Sequence, residues 1–240
     1  MAEIQPKLMV QQGPRIAGDG TSPAAVARKS TFHWPPRQRM IAGMRRLIVG
    51  LTGASGIIYG VRFIERLKEL DDIEIHLVMT DAARITLSQE VGMSQSELGT
   101  KVTVVHNLRN IAASIASGSF MTSGMVVVPC SMNTLAAIAY CQSNNLLTRA
   151  ADVCLKERRP LVLLPRETPL HLGHLRAMVA AAEMGAIMLP PVPAFYFGPK
   201  SIDDLIDHTI GKIFDQLGFG HSLFQRWGED DGSGEQRRKA

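Results

Sequence analysis

Short apolar runs alternate with longer amphipathic segments along most of this chain of 240 residues. The apolar runs are rich in Val, Ile and Leu, as expected for parallel strands that are buried on both faces. They are "RLIVGLT" (46–52), "IEIHLVMT" (73–80), "GMVVVPC" (124–130), "PLVLLP" (160–165) and "AIMLPP" (186–191). A shorter strand is predicted within "KVTVVH" (101–106).

Segments with helical periodicity separate these strands. In "GIIYGVRFIERLKEL" (56–70), Ile57, Val61, Ile64 and Leu67 recur at the spacing of one helix face. Further helices are predicted at 82–90, 131–140, 146–158, 171–185 and 201–218, with short helices inside 94–120. Because strands alternate with helices and such crossovers are right-handed, the predicted fold is α/β, a doubly wound parallel sheet flanked by helices on both faces.

The two ends of the chain lack this pattern. Residues 1–43 are rich in Pro, Gly, Ser, Gln and Arg, and are predicted to be a disordered N-terminal extension. A targeting peptide is an alternative, and a third interpretation is that the domain begins naturally at Met44. The folded domain is predicted over 44–229, with a disordered tail at 230–240.

Charge and cysteine content narrow the class of protein. Residues 1–46 hold eight basic and two acidic residues, whereas 47–240 hold 18 basic and 20 acidic residues, so the domain itself is not basic and no nucleic-acid partner is expected. No window has 18 apolar residues, so no membrane span is predicted. The three cysteines form no C-x-x-C motif, which indicates a reducing cytoplasmic location; Cys130 is expected to be a buried thiol rather than a nucleophile.

Ligands of a doubly wound sheet bind beyond the carboxyl ends of the strands, so the residues that follow each strand are the first candidates for chemistry. "TGASG" follows the first strand, where Gly53 and Gly56 permit a tight turn. Ser55 stands at a helix N-terminus, where it could face a phosphate or simply cap the helix. With Gly50, the glycines read G-x-x-G-x-x-G, which differs from the G-x-G-x-x-G of dinucleotide-binding proteins.

The second and third strands are also followed by polar groups. Asp81 could bind a ribose hydroxyl, and either Thr80 or Asp81 could instead cap the next helix. Ser131, Asn133 and Thr134 crowd one helix N-terminus with more polar atoms than a cap requires. This crowding predicts a second site for an anion or a ring edge.

The last two strands end in proline-flanked loops. Arg166 and Glu167 follow the fourth strand, and a guanidinium suits bidentate binding of phosphate or carboxylate. Tyr196, in "PPVPAFYFGPKS", offers a hydroxyl for a phosphate oxygen. His171 and His174 are spaced i, i+3 without companion ligands, so we expect exposed or capping histidines and no metal.

Five motifs taken in order resemble the UbiX-type flavin prenyltransferases over about 44–229: "GLTGASGIIYGVR", "VVVPCSMNTLAAIA", "LLTRAADVCLKERRPLVLLPRETPL", "LPPVPAFY" and "RWGE". The resemblance implies a flavodoxin-like fold, a homododecamer, and binding of reduced FMN and dimethylallyl phosphate without a metal. It implies transfer of a dimethylallyl group to flavin N5 and C6. The prenylated FMN would then pass to UbiD-type decarboxylases, including one in ubiquinone synthesis.

The same resemblance assigns roles to particular residues. FMN is expected to contact Gly53, Ala54, Ser55, Thr80, Ser131, Met132, Asn133, Thr134 and Arg166. Dimethylallyl phosphate is expected to meet Arg149, Lys156, Tyr196 and Lys212, with Trp227 closing the pocket. Ser55, Glu90 and Glu167 are the expected catalytic residues, and the base that takes the flavin proton is left open among Glu90, Glu167 and the released phosphate.

Two departures from the family pattern and two competing functions remain. Thr80-Asp81 replaces a frequent Ser-Lys pair but keeps the hydroxyl. Lys212 replaces a frequent Arg, so weaker phosphate binding is expected.

An FMN-dependent decarboxylase acting on cysteine-containing substrates would need a catalytic His after the first helix, and "ARITLSQE" has none. A non-catalytic flavin carrier is the second alternative.

Overall fold

The computed structural model describes residues 43–226 and 228. The predicted extension therefore lies outside the described residues apart from Gly43, and the predicted tail lies wholly outside them. The strands are β1 (Arg45–Leu51), β2 (Ile73–Met79), β3 (Val104–His106), β4 (Gly124–Cys130), β5 (Leu161–Pro165) and β6 (Ile187–Met188). The helices are α1 (Ile57–Leu67), α2 (Asp81–Val91), α3 (Gln95–Gly99), α4 (Met132–Ala139), α5 (Leu146–Lys156), α6 (Leu172–Glu183) and α7 (Ile202–Leu217).

The six strands form one sheet in the order β3-β2-β1-β4-β5-β6, and every pairing is parallel. This confirms the predicted doubly wound fold. The strand order reverses between β1 and β4, which are direct neighbours with Leu47 opposite Gly124. Ligands of such sheets bind at this reversal, just beyond the carboxyl ends of the two strands, an edge we call the carboxyl edge.

Alternate residues of the strands face two separate apolar layers. On one face, Leu47, Val49 and Leu51 pack with α1 and α7, and on the other Ile48 packs with α4, α5 and α6. All seven residues of β4 are buried. The continuous apolar runs in the sequence have this cause, since a strand covered on both faces has no polar side.

The observed elements agree with the predicted ones apart from their ends. The strand predicted at 186–191 shortens to Ile187–Met188, because Pro190 and Pro191 have no N–H to donate to the sheet. The first helix begins at Ile57 rather than residue 56. None of the helices in the described part of the chain combines the length and hydropathy that a membrane span requires.

Candidate functional site at the carboxyl edge

The turn between β1 and α1 is built by glycine. Gly56 is the residue before the helix and has φ 91°, the left-handed conformation that glycine adopts readily. A Cβ on Gly53 would collide with Ala82 in α2, so this turn lies directly against the next helix. Because Gly56 occupies the N-cap position of α1, Ser55 lies one residue before it. The capping role that the sequence suggested for Ser55 is therefore wrong.

The N-terminus of α1 is capped from a distance by Glu90. One carboxylate oxygen, Oε2, accepts hydrogen bonds from the backbone N–H groups of Gly56 at 2.8 Å and Ile57 at 3.1 Å. Burial acts to raise the pKa of Glu90, but hydrogen bonds from Ser55, Gly56 and Ile57 and the charge of Arg166 outweigh it and leave the pKa lowered. Glu90 is thus a carboxylate at neutral pH, and it accepts a hydrogen bond from Ser55 at the carboxyl edge.

A buried hydroxyl joins the ends of β1 and β4. Thr52, which is 0% exposed, donates from Oγ1 to the carbonyl oxygen of Pro129 at 2.8 Å and accepts from the N–H of Ser131 at 2.7 Å. Sequence reasoning missed this residue, although it precedes the glycine turn directly. The threonine fixes the two loops that form the crevice at the strand-order reversal.

The N-terminus of α4 carries the second polar group predicted from sequence. Ser131 Oγ accepts from the N–H of Thr134 at 3.3 Å and lies 3.1 Å from its hydroxyl. Asn133 is exposed, whereas Met132 is buried. The serine is the cap, so Asn133 is left as a polar side chain that faces outward beside the crevice.

Thr80 caps α2 by accepting from the N–H of Ala83 at 3.1 Å. Asp81 instead pairs with Arg84 at 3.2 Å, within the first turn of the helix. The capping interpretation is therefore confirmed for Thr80. Its position at the end of β2 adds a third helix N-terminus to the same edge of the sheet.

Arg166 reaches this edge from the end of β5. Its N–H donates to the carbonyl oxygen of Cys130 at 3.2 Å, and its side chain is exposed. Burial raises the pKa of Tyr59, and the positive charge of Arg166 opposes that rise. Glu167 is exposed as well, and its Oε1 accepts from the N–H of Thr168 at 3.0 Å.

The carboxyl-edge cluster, which we define as Ser55, Glu90, Arg166, Thr80 and the α4 N-terminus, presents backbone N–H groups, hydroxyls and one guanidinium. Such a set suits a phosphorylated ring compound, because helix N-termini and arginine both favour phosphate. The glycine turn lets the ligand approach the backbone closely. These residues therefore fit a flavin mononucleotide.

Tyr196 and Lys212 lie in a second group, beside the short edge strand β6. Tyr196 Oη is 3.1 Å from Nε2 of His208, and Lys212 Nζ lies 3.7 Å from Asp215. His208 and Lys212 line a groove with Leu189, Val192 and other residues of the β6 loop. Sequence reasoning did not single out His208.

Arg149 and Lys156 form a third group, on α5. Arg149 binds Asp152 at 2.8 Å and the carbonyl oxygen of Ala116 at 3.3 Å, and Lys156 pairs with Glu157. Lys156 ends α5 five residues before β5 begins, at the amino ends of the strands. Because the five residues of β5 span about 16 Å, Lys156 of one chain is far from Arg166 of that chain.

The remaining predicted positions have simpler outcomes. Trp227 lies outside the described residues. His171 caps α6, accepting from Gly173 N–H at 3.0 Å. Cys130 is buried, and burial raises the pKa of its thiol well above the usual range, as expected for an inert cysteine. In the described part of the chain no group of three or more metal-ligating side chains is gathered.

Comparison with known proteins agrees with this geometry. A family model described as Flavoprotein matches residues 37–214. Flavin prenyltransferase UbiX of Escherichia coli K12 is 58% identical over 186 residues, covering 77% of this chain and 98% of the relative. The chain belongs to the UbiX flavin prenyltransferase family.

Solved structures of UbiX proteins share the fold. AnUbiX (PadA1), in complex with FMN and dimethylallyl pyrophosphate, superposes with a TM-score of 0.76 at 44% identity, covering 78% of this chain and 100% of that one. A dodecameric FMN-dependent UbiX-like decarboxylase from Escherichia coli O157:H7 gives a TM-score of 0.74 at 46% identity, covering 76% and 98%. The flavodoxin-like architecture implied by the motifs is thereby confirmed.

Proposed function

We propose that this flavin prenyltransferase transfers a dimethylallyl group from dimethylallyl phosphate to N5 and C6 of reduced FMN. The carboxyl-edge cluster carries this proposal, because it combines a glycine turn, hydroxyls, helix N-termini and Arg166 where the strand order reverses. In the reaction the allylic C–O bond breaks, inorganic phosphate leaves, and a C–N bond replaces the N5–H bond. A second bond then replaces the C6–H bond and consumes the double bond of the prenyl group. Of the two protons lost from the flavin, one is taken up by the prenyl group and one by the phosphate.

In the proposed FMN site, the flavin phosphate and the reacting part of the ring would lie on opposite sides of the crevice, according to charge. Glu90 occupies the N-terminus of α1 as a carboxylate, so the flavin phosphate is assigned to the Arg166, Thr80 and Ser131 side of the crevice. Ser55 and Glu90 would then face the reacting part of the ring. Both Glu90 and Glu167 remain candidates for the base, since each is exposed at this edge.

The donor phosphate requires positive charge besides Arg166, and Lys156 lies at the amino ends of the strands within one chain. Tyr196 and Lys212 lie beside β6, and Arg149 and Lys156 lie on α5. We assign these groups to sites completed by neighbouring copies, so that positive charge stabilises the leaving phosphate. A homo-oligomer, and by analogy with the Escherichia coli relative a dodecamer, is therefore part of the proposal.

An exposed apolar helix face supports assembly. On α6, Leu172 is 59% exposed, Leu175 45% and Val179 56%, and all three point away from the core. Apolar stripes of this kind are typical of surfaces that pack against another chain.

The proposed product, prenylated FMN, would pass to a UbiD-type decarboxylase. We place this transfer in a reducing cytoplasm, a setting that suits the free thiol of the exposed Cys141.

Anaerobic incubation with reduced FMN and dimethylallyl phosphate, followed by mass spectrometry of the released flavin, tests the proposal. A flavin heavier by one C5 prenyl unit is expected. Unmodified flavin, with both ligands shown to be bound, would instead favour a carrier. An Arg166→Ala variant should lose FMN affinity, whereas Lys212→Ala should weaken binding of dimethylallyl phosphate far more than that of FMN.

A further inference from the structure

Tyr59 is a half-buried tyrosine in the first turn of α1, and the expected flavin contacts do not include it. Helical side chains point back towards the N-terminus of their helix, so its ring covers the turn at Gly56. Two ring carbons lie 3.3 and 3.4 Å from the place that a Cβ on Gly56 would occupy. The ring therefore lies at the carboxyl edge, beside the backbone N–H that Glu90 binds.

The end of β4 brings the helix that carries Tyr59 close to Arg166. The next residue, Gly60, packs so closely on β4 that a Cβ there would lie 2.5 Å from the carbonyl oxygen of Val128. Two residues further along this strand, the carbonyl oxygen of Cys130 accepts from the N–H of Arg166 at 3.2 Å. The charge of Arg166 reaches the phenol, since it acts to lower the pKa of Tyr59. The phenol and the guanidinium therefore share one side of the crevice.

The hydroxyl of Tyr59 has no hydrogen-bond partner among the described residues, and its oxygen is not fully buried. The ring meanwhile packs against the apolar layer between the sheet and α1, which limits its movement. Burial raises the pKa of Tyr59 by more than Arg166 lowers it, so the phenol is neutral at pH 7 and can donate its O–H. A hydrogen-bond donor is thus held at the crevice without an acceptor in the described part of the chain.

We infer that Tyr59 is a further flavin-binding residue, whose hydroxyl donates a hydrogen bond to an oxygen of FMN beside Arg166. The phosphate and the ring carbonyl groups of FMN both offer such an acceptor, and a neutral phenol next to a guanidinium suits an electron-rich oxygen of either kind. The inference rests on the placement of FMN in this crevice, which is part of the proposed function, and does not depend on prenyl transfer.

Replacing Tyr59 by Phe keeps the packed ring and removes only the hydroxyl. We expect the FMN dissociation constant to rise about 3- to 10-fold, measured by the change in flavin fluorescence during titration with oxidised FMN. Tyr140→Phe is the matched control, since Tyr140 is exposed and follows the C-terminal end of α4, the end opposite the crevice. It should bind FMN as the natural chain does. An unchanged FMN dissociation constant in Tyr59→Phe would overturn the inference.

Riboflavin, which lacks the phosphate, identifies the acceptor. If the hydroxyl donates to the phosphate, Tyr59→Phe should bind riboflavin as tightly as the natural chain does. If it donates to a ring carbonyl group, the dissociation constants of riboflavin and FMN should rise by the same factor. Each of these results, together with the weaker FMN binding, supports the placement of Tyr59 in the flavin site.

Thermal denaturation separates a ligand contact from a structural role. Without ligand, Tyr59→Phe should melt within about 2 °C of the natural chain, because the missing hydroxyl bonds to no described residue. At one fixed concentration of FMN, the natural chain should gain more in melting temperature than the variant does. A larger fall in the ligand-free melting temperature would assign the hydroxyl a structural role and would also overturn the inference.

The outcome stays distinct from that of the proposed function. The titrations contain no dimethylallyl phosphate, so they test the role of Tyr59 even if the natural enzyme makes no prenylated flavin. If the natural enzyme prenylates FMN and Tyr59→Phe binds FMN with the natural dissociation constant, only the role of Tyr59 fails.

Discussion

The hydroxyl of Thr52 joins the ends of β1 and β4 beside the crevice. It donates to the carbonyl oxygen of Pro129, in β4, and accepts from the N–H of Ser131, which caps α4, and it is fully buried. Thr52→Val keeps the shape of the side chain but leaves both partners without it. We expect a loss of about 2 kcal/mol in the free energy of unfolding, measured by urea denaturation, together with weaker FMN binding.

Thr52→Ser is the control for that prediction, since serine retains the hydroxyl and loses one methyl group. It should bind FMN as the natural chain does and be destabilised by about 1 kcal/mol. Equal FMN affinity in the Val and Ser variants would show that the two loops keep their positions without the hydroxyl.

Glu90 makes the stability of the α1 N-terminus depend on pH. The pKa of Glu90 is lowered below its ordinary value of 4.5 in the folded chain, so its stabilising effect is present above about pH 4.5 and disappears as pH falls through the folded pKa. Glu90→Gln should therefore be less stable than the natural chain at pH 7, by up to about 1 kcal/mol because the side chain is partly exposed.

The stability difference between the two proteins should shrink as pH falls below 4.5 through the folded pKa of Glu90, in denaturation series run side by side at each pH. A gap that does not narrow on acidification would mean that the carboxylate charge is not what stabilises the helix end. Glu97, an exposed glutamate in the capping box of α3, offers Glu97→Gln as a comparison at a different helix N-terminus.

Helix α1 packs against the sheet through a glycine, which sets the position of the whole β1–α1 turn. A Cβ on Gly60 would meet the carbonyl oxygen of Val128 at 2.5 Å and Cδ2 of Leu51 at the same distance. Gly60→Ala should thus destabilise the protein by about 1–3 kcal/mol, although alanine is the better helix former. FMN affinity should fall with it, because α1 must move outward.

Gly99→Ala, in α3, is the matched change, since the new methyl group would meet only the side chain of Val105 at 3.3 Å. Its melting temperature should stay within a few degrees of the natural value. If Gly60→Ala is equally harmless, α1 is not held against β4 as closely as the glycine indicates.

Sequence periodicity predicts that α1 and β6 exist, but not where β6 ends or which residue caps α1. Burial on both faces produces the apolar runs, so the order of strands and helices follows from sequence alone. The end of β6 depends on backbone hydrogen bonds that Pro190 cannot make. The cap of α1 comes from Glu90, 34 positions away along the chain, and no local pattern predicts such a contact.

The site follows the same division. Ser131, Thr80 and Arg166 could be found because each directly follows a strand, and parallel strands bring their carboxyl ends together. Thr52 also directly follows a strand, but its role, like that of His208, comes from hydrogen-bond partners in other elements and was missed. The separation of Lys156 from this edge likewise depends on the direction of α5, which only the fold reveals.

That separation gives a test of the assembled protein. In the proposed site, Arg166 of one copy works with Lys156 of another, so Arg166→Ala and Lys156→Ala damage every site when each variant is pure. Co-assembled in equal amounts, the two variants should recover about a quarter of natural activity, because about one site in four combines an intact Arg166 with an intact Lys156 from a different copy. Prenylated flavin is the quantity to measure.

The doubly substituted chain, co-assembled with the natural one, provides the matched control. If the two residues come from different copies, about a quarter of the sites are again intact, whereas residues acting within one copy would leave about half intact. In that second case the mixture of single variants would also stay inactive, since every chain would lack one of the two groups. Agreement of both mixtures near one quarter therefore requires a site shared between chains, as expected from the position of Lys156 at the amino ends of the strands.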